Sequence, residues 1–270
     1  MEQTDKGKDR RKRRILIAAV ILYFAVAFFT KHALAPEPAS ADSLPPPGDV
    51  SEGVEKVQLL SQRSVEETEE TLKRMEKAER AEQIQAGNFN VIFEDAVFMG
   101  DSHLEGLSAY GLLDSAKVAA VKGRSLITGR KEIEKAAAQK PSDIFLNYGM
   151  NDVEIFGSNA QKYIETYRSF IAELKARVPD ARIFICSIFV PQPQAVEKEP
   201  YLAYIPAYNE ALKEFCSREG FTFIDTTGLL TDQYYEPDHK HTVYAYHRIW
   251  LSYVASEAGF VDGENRGEEG

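Results

Sequence analysis

Two features of this sequence carry recognisable chemistry: a serine on a Gly-Asp-Ser corner, and a histidine three residues after an aspartate. In "VFMGDSHLEGL", Val97 to Leu107, an apolar run ends on Gly-Asp-Ser and turns into a helical pattern. Strand-to-helix turns of α/β proteins lie at the carboxyl edge of the sheet, where ligands bind, so Ser102 is placed to act as a nucleophile. The same position also suits a helix N-cap, whose hydroxyl accepts a backbone N–H of the first turn. A serine hydroxyl attacks well only when a base takes its proton, and imidazole is the side chain matched to that task near neutral pH. A carboxylate on the far ring nitrogen fixes the tautomer that the base needs. In "PDHKH", Asp238 and His241 stand three apart at a helix entrance, close enough to make that bond within one turn. The tetrahedral intermediate of acyl transfer also needs fixed donors for its oxyanion. Candidates are the backbone N–H groups of Ser102 and Gly123 and the side-chain amide of Asn151 in "YGMND", with glycine at 123 letting backbone approach a substrate closely.

Neighbouring polar residues compete for these roles. His103 adjoins Ser102, but consecutive side chains on a helix diverge, so its expected place is the surface or a substrate contact. His239 rivals His241 if Asp238 orients it instead. His247 falls on the outer face of the last helix and reads as structural or exposed. Asp152 is expected to tie down backbone N–H groups of its loop. Tyr234, Tyr235, Tyr244 and Tyr246 read as packing, with a sugar-stacking surface as the alternative.

The elements that must hold these residues alternate. Candidate strands are Asp95–Asp101, Ala116–Val121, Asp143–Gly149, Arg182–Val190 and Phe221–Thr226, and helical patterns span His103–Leu112, Ser125–Gln139, Asn159–Arg177, Ile205–Arg218 and Val243–Ala258. Repeated strand-helix-strand units imply an α/β fold: a three-layer α/β/α doubly wound domain on a five-stranded parallel sheet. All the candidate residues then fall in loops on one sheet edge.

In order along the chain, "GDS", "VKGRS", "GMND" and "DHKH" resemble the four blocks of the SGNH/GDSL hydrolase superfamily. The resemblance covers roughly Ala96 to Ala258 and implies a flavodoxin-like SGNH fold and a serine esterase reaction with no metal or organic cofactor. It assigns Ser102 as nucleophile, Gly123 and Asn151 as oxyanion donors and His241 as base. The chain departs from the pattern twice. His103 stands where Leu or Ile is usual, and no Asn precedes Gly123.

The rest of the chain suggests where such a domain works. Its 270 residues suit one well-buried α/β domain with extensions. Net charge is −10, and the first 35 residues are basic, so the remainder is strongly acidic, which argues against nucleic acid as a partner. "KGKDRRKRR" precedes the apolar run Ile15 to Phe29, predicting a cytoplasmic N-terminus and an extracytoplasmic location for the chain beyond the run. "ALA" (Ala33 to Ala35) and "ASA" (Ala39 to Ala41) fit cleavage sites, leaving a retained anchor or a secreted form as alternatives. The organisation expected is a basic segment (1–14), a transmembrane anchor or signal (15–35), a Pro/Ala/Ser-rich linker (36–49), a charged helical stalk (50–87), the hydrolase-type domain (88–260) and an acidic tail (261–270). Cys186 and Cys216 are expected to be buried, with unpaired thiols favoured. A single-pass membrane esterase acting on O-acetylated cell-surface glycans or small acyl esters is the function expected. The alternatives are an O-acyltransferase on a cell-envelope glycan, beside a membrane-bound O-acyltransferase partner, and an inactive scaffold whose stalk is the working part.

Overall fold

The computed structural model describes residues 69–70 and 73–261. The basic segment, anchor and linker, the start of the stalk and all but the first residue of the acidic tail lie outside the described residues. Among the described residues, no helix is long and apolar enough to cross a membrane. The described end of the stalk is helical over 73–86 and stops at Gly87. Its last turns lie against the domain, with the Arg80 guanidinium 5.5 Å from the centre of the Phe260 ring and Ile84 packed on the apolar core.

After a single helical turn, α1 (Phe89–Ile92), the chain alternates as expected through β1 (Ala96–Gly100), α2 (Ser102–Ala109), β2 (Val118–Ala120), α3 (Ile133–Ala138) and β3 (Asp143–Asn147). It continues through α4 (Asp152–Phe156), α5 (Ala160–Arg177), β4 (Arg182–Cys186), α6 (Pro193–Lys198), α7 (Ile205–Glu219), β5 (Thr222–Ile224) and α8 (Tyr244–Glu257). The five strands form one sheet in the order β2-β1-β3-β4-β5, and every pairing is parallel. The chain therefore runs outward from β1 in both directions. The place where that direction reverses, beside the end of β1, is the crevice in which such sheets bind ligands.

Each central strand is apolar through its middle yet serves two cores, because alternate side chains leave opposite faces. Val97, Met99, Ile144, Leu146, Ile183 and Ile185 enter the core shared with α3, α5 and α7. Phe98, Phe145 and Phe184 enter the other, with Leu104 and Leu107 of α2 and Trp250, Leu251 and Val254 of α8. The three phenylalanines stack across adjacent strands at 4.7 and 4.8 Å, a geometry worth about 0.5–1.5 kcal/mol per pair beyond the area buried.

The structure shortens several expected strands. Ala116 and Lys117 belong to a 3-10 turn (Ser115–Lys117) that leads into β2, and β4 ends at Cys186, after which the Ser187 hydroxyl bonds that of Thr226 and the Ile188 N–H donates to Asn209 Oδ1. The helix expected over Ser125–Gln139 is a 3-10 segment (Thr128–Glu132) followed by α3. Cys186 and Cys216 are both buried and unpaired.

Candidate active site

Local packing explains why β1 ends as it does. A Cβ on Gly100 would lie 2.5 Å from the Asn147 carbonyl of β3, so only glycine lets the two strand ends come this close. Asp101 then caps α2, its side chain accepting the N–H of His103 at 3.0 Å. The cap is Asp101, and Ser102 is the first helical residue, so its hydroxyl is released from capping. At that position its own N–H also has no acceptor within the helix.

Ser102 Oγ lies 3.0 Å from His241 Nε2. On the far side of the ring, His241 Nδ1–H donates to Asp238 Oδ2 at 2.5 Å. Asp238 Oδ1 accepts the backbone N–H groups of Lys240 and His241 at 3.1 and 2.9 Å, so the carboxylate shapes the turn as well as orienting the ring. Partial burial works to raise the Asp238 pKa, but the hydrogen bonds from the His241 ring and from these two amides outweigh it and hold the group well below the ordinary carboxylate range. With the proton of Nδ1 committed to Asp238, Nε2 faces Ser102 as an acceptor. The pair stands in a turn ahead of α8, rather than in the helix itself.

Of the oxyanion candidates, Asn151 is bonded both to the serine turn and to the loop that carries Gly123. Gly123 sits in a left-handed turn after β2, φ +77°, with open space where a side chain would be. Asn151, at the start of α4, donates from Nδ2 to the Arg124 carbonyl at 2.9 Å and to Asp101 Oδ2 at 3.3 Å. Its first bond fixes the amide against the second loop, and the second is long enough to be redirected. Asp152 does tie a backbone N–H, that of Leu126 in the neighbouring loop, at 2.9 Å. Its other oxygen is buried without a partner, and burial pushes its pKa up to about 7.

Of the other histidines, only His103 departs from its expected surface position. His103 is 3% exposed and so is not on the surface, because Asp101 and the Lys240 carbonyl hold its two ring nitrogens. His247 is buried as well, between the carbonyls of Val243 and His103, and burial lowers its pKa. His239 is turned away from Asp238 and bonds Gln192 through Nδ1 at 2.6 Å. Of the four tyrosines, Tyr246 is buried, Tyr235 bonds the Val190 carbonyl at 2.5 Å and Tyr234 packs on Tyr246. Tyr244 is exposed and meets Tyr110 edge-on.

The loop carrying the base has further support that the motifs did not indicate. Gln192 N–H donates to the His239 carbonyl at 2.9 Å, and Lys240 Nζ pairs with Glu199 at 2.5 Å. That pairing, with the bond from Tyr201, holds the Glu199 carboxyl below its ordinary range. Gln192 and Glu199 flank α6, in a segment whose composition resembles any polar surface loop. Among the described residues no cluster of side chains suits a metal ion.

The GDSL-like lipase/acylhydrolase family model matches residues 98–247, a span that contains all four blocks. No curated protein matches the chain. Among solved structures, a protein of Parabacteroides merdae assigned as a GDSL-like lipase is similar at 14% identity and a TM-score of 0.50, covering 62% of this chain and 96% of that one. A GDSL-like lipase from Bacteroides thetaiotaomicron is similar at 17% identity and a TM-score of 0.49, covering 61% and 86%.

Proposed function

This chain belongs to the GDSL-like lipase/acylhydrolase family, and from that premise we propose that Ser102, His241 and Asp238 hydrolyse short acyl esters outside the cytoplasm. The single observation carrying the reading is the continuous relay from Ser102 Oγ through His241 to Asp238, at 3.0 and 2.5 Å.

In the proposed reaction Ser102 Oγ attacks the ester carbonyl carbon while its proton passes to His241 Nε2, and the carbonyl π electrons move onto oxygen. The resulting oxyanion takes hydrogen bonds from the N–H groups of Ser102 and Gly123 and from Asn151 Nδ2, which gives up its 3.3 Å bond to Asp101. Collapse breaks the bond to the leaving alcohol, which receives the proton from Nε2. Water then attacks the acyl-serine with His241 again as base, releasing the acid and restoring Ser102.

A cavity of about 80 Å³ opens beside Ser102 and His241, lined also by His103, Gly106, Tyr110 and His247. The extracytoplasmic location rests on the basic block ahead of the Ile15–Phe29 apolar run. With a tether of that kind, O-acetylated cell-surface glycans are the substrate class proposed.

Hydrolysis of a chromogenic acetate ester tests the reading, with the full chain compared with Ser102→Ala and His241→Ala. Turnover in the wild type and its loss in both variants is the expected result. A folded wild-type protein with no turnover and no labelling by a serine-reactive phosphonate would overturn it. Acyl transfer to a sugar faster than to water would redirect the reading to a transferase.

A further inference from the structure

The relay uses His241 and leaves His103, the residue after the nucleophile, without a part in the chemistry. Nevertheless His103 is among the most firmly held side chains in the region. Its Nε2–H donates to the Lys240 carbonyl at 3.0 Å, and its Nδ1 lies 3.2 Å from Asp101 Oδ1. The ring stacks on that of His241, centroids 5.2 Å apart and planes at 25°, and meets Phe189 edge-on at 4.5 Å. Its own carbonyl lies 3.0 Å from His247 Nε2 of α8.

The Lys240 carbonyl matters because of what it is joined to. It belongs to the planar peptide unit that also contains the N and Cα of His241, so fixing that oxygen fixes the plane from which the base projects. Gln192 and Glu199 reach this loop from the β4 side, and Tyr110, at the end of α2, donates to Glu236 at 3.2 Å. His103 joins it to the turn that carries Ser102. An aliphatic side chain in this place could pack on Phe189 but could donate nothing to the carbonyl.

We propose that His103 is a positioning residue for the acyl-transfer site, clamping the Lys240–His241 peptide unit to the Asp101–Ser102 turn and backing the His241 ring with its own. The clamp sets the distance between nucleophile and base, two groups 139 residues apart in the chain. Small misplacements of reacting groups cost about 100-fold in rate, so its loss falls on kcat. This inference rests on the serine-hydrolase reading.

The test compares the full chain with His103→Leu, His103→Gln and His103→Asn. Glutamine carries its amide nitrogen near the place of Nε2 and can still reach the Lys240 carbonyl. Asparagine carries its own near Nδ1 and can reach only Asp101. The expected result is a kcat loss of about 10- to 100-fold in the Leu and Asn variants, with KM within about twofold, and substantial recovery in Gln. Amide exchange of the segment 236–242 is expected to quicken in Leu and Asn and not in Gln. Wild-type kcat in Leu, equal losses in Gln and Asn, or exchange unchanged in all three would overturn the clamp. If Leu does not fold, the Gln and Asn pair decides. A wild-type protein without turnover or phosphonate labelling fails the hydrolase reading instead, and the exchange comparison still decides the clamp.

Discussion

Ser102 Oγ and His241 Nε2 meet at 3.0 Å across 139 residues of chain, whereas Asp238 reaches the far nitrogen of the same ring from three residues away. The first contact requires the whole sheet, and the second requires only a turn. Asp238→Asn separates the two. Its oxygen can still accept the Lys240 and His241 amides, so the turn survives. Its new amide group faces Nδ1 and donates to it, which drives the ring proton to Nε2 and leaves Ser102 without an acceptor. A kcat loss on the order of 10,000-fold is expected, with KM and the unfolding midpoint little changed, measured by steady-state ester hydrolysis and urea titration.

Asn151 offers a different loss. Its bond to the Arg124 carbonyl is short and its bond to Asp101 long, so one amide hydrogen is structural and the other free to serve the oxyanion. Asn151→Ala is expected to lower kcat about 100- to 1,000-fold while KM moves little, as removal of one oxyanion donor does elsewhere. Phosphonate labelling of Ser102 would slow by a similar factor, since that adduct carries the same charge. A variant that lost affinity and kept kcat would place Asn151 in substrate binding instead.

Much of this architecture was legible in residue order. The helices α5, α7 and α8 came within a residue or two of their ends because each is long enough for its apolar stripe to repeat several times. The relay was legible because Asp238 and His241 are local and Gly-Asp-Ser marks a strand end. Short elements were not: α4 is barely more than a turn and comes directly after "GMND", with no space for periodicity to show. The role of His103 was hidden for a different reason. Its neighbour relation to Ser102 set it aside as base, but where its ring points depends on a loop that returns 137 residues later. The one hint in the sequence was a polar ring where the resembling family keeps an aliphatic residue.

Asp152 predicts a dependence of stability on pH. Burial raises its folded pKa to about 7 from an ordinary value of 3.8, so between those values the folded state binds the proton more tightly than the unfolded one. Its contribution to stability is therefore fully present below the unfolded value and declines as pH rises through the folded one, by an amount on the order of 4 kcal/mol. His247 acts oppositely, since its folded pKa is lowered and its contribution fades as pH falls below the ordinary histidine range. Asp152→Asn is expected to flatten the decline from pH 4 to 8 while leaving the acid loss in place. Urea unfolding across that range measures both. An identical slope in the variant would show that the carboxyl is not the group responsible.

Gly106 provides a test in which two known effects have opposite signs. It lies inside α2, where alanine is the better helix former by about 1 kcal/mol. A Cβ there, however, would stand 2.8 Å from His247 Nε2, the atom that lies against the His103 carbonyl. Overpacking of this kind costs about 1–3 kcal/mol, and the ring is buried between two carbonyls, so it has little room to retreat. Gly106→Ala is therefore expected to lower the unfolding midpoint despite its better helix propensity, and to lower kcat by loosening the His103 backbone. In a His247→Ala background the contact is absent, and the same substitution should become neutral or stabilising. That reversal, read from a double-mutant cycle in urea, ties the effect to the ring. Destabilisation of equal size in both backgrounds would assign it to the helix instead.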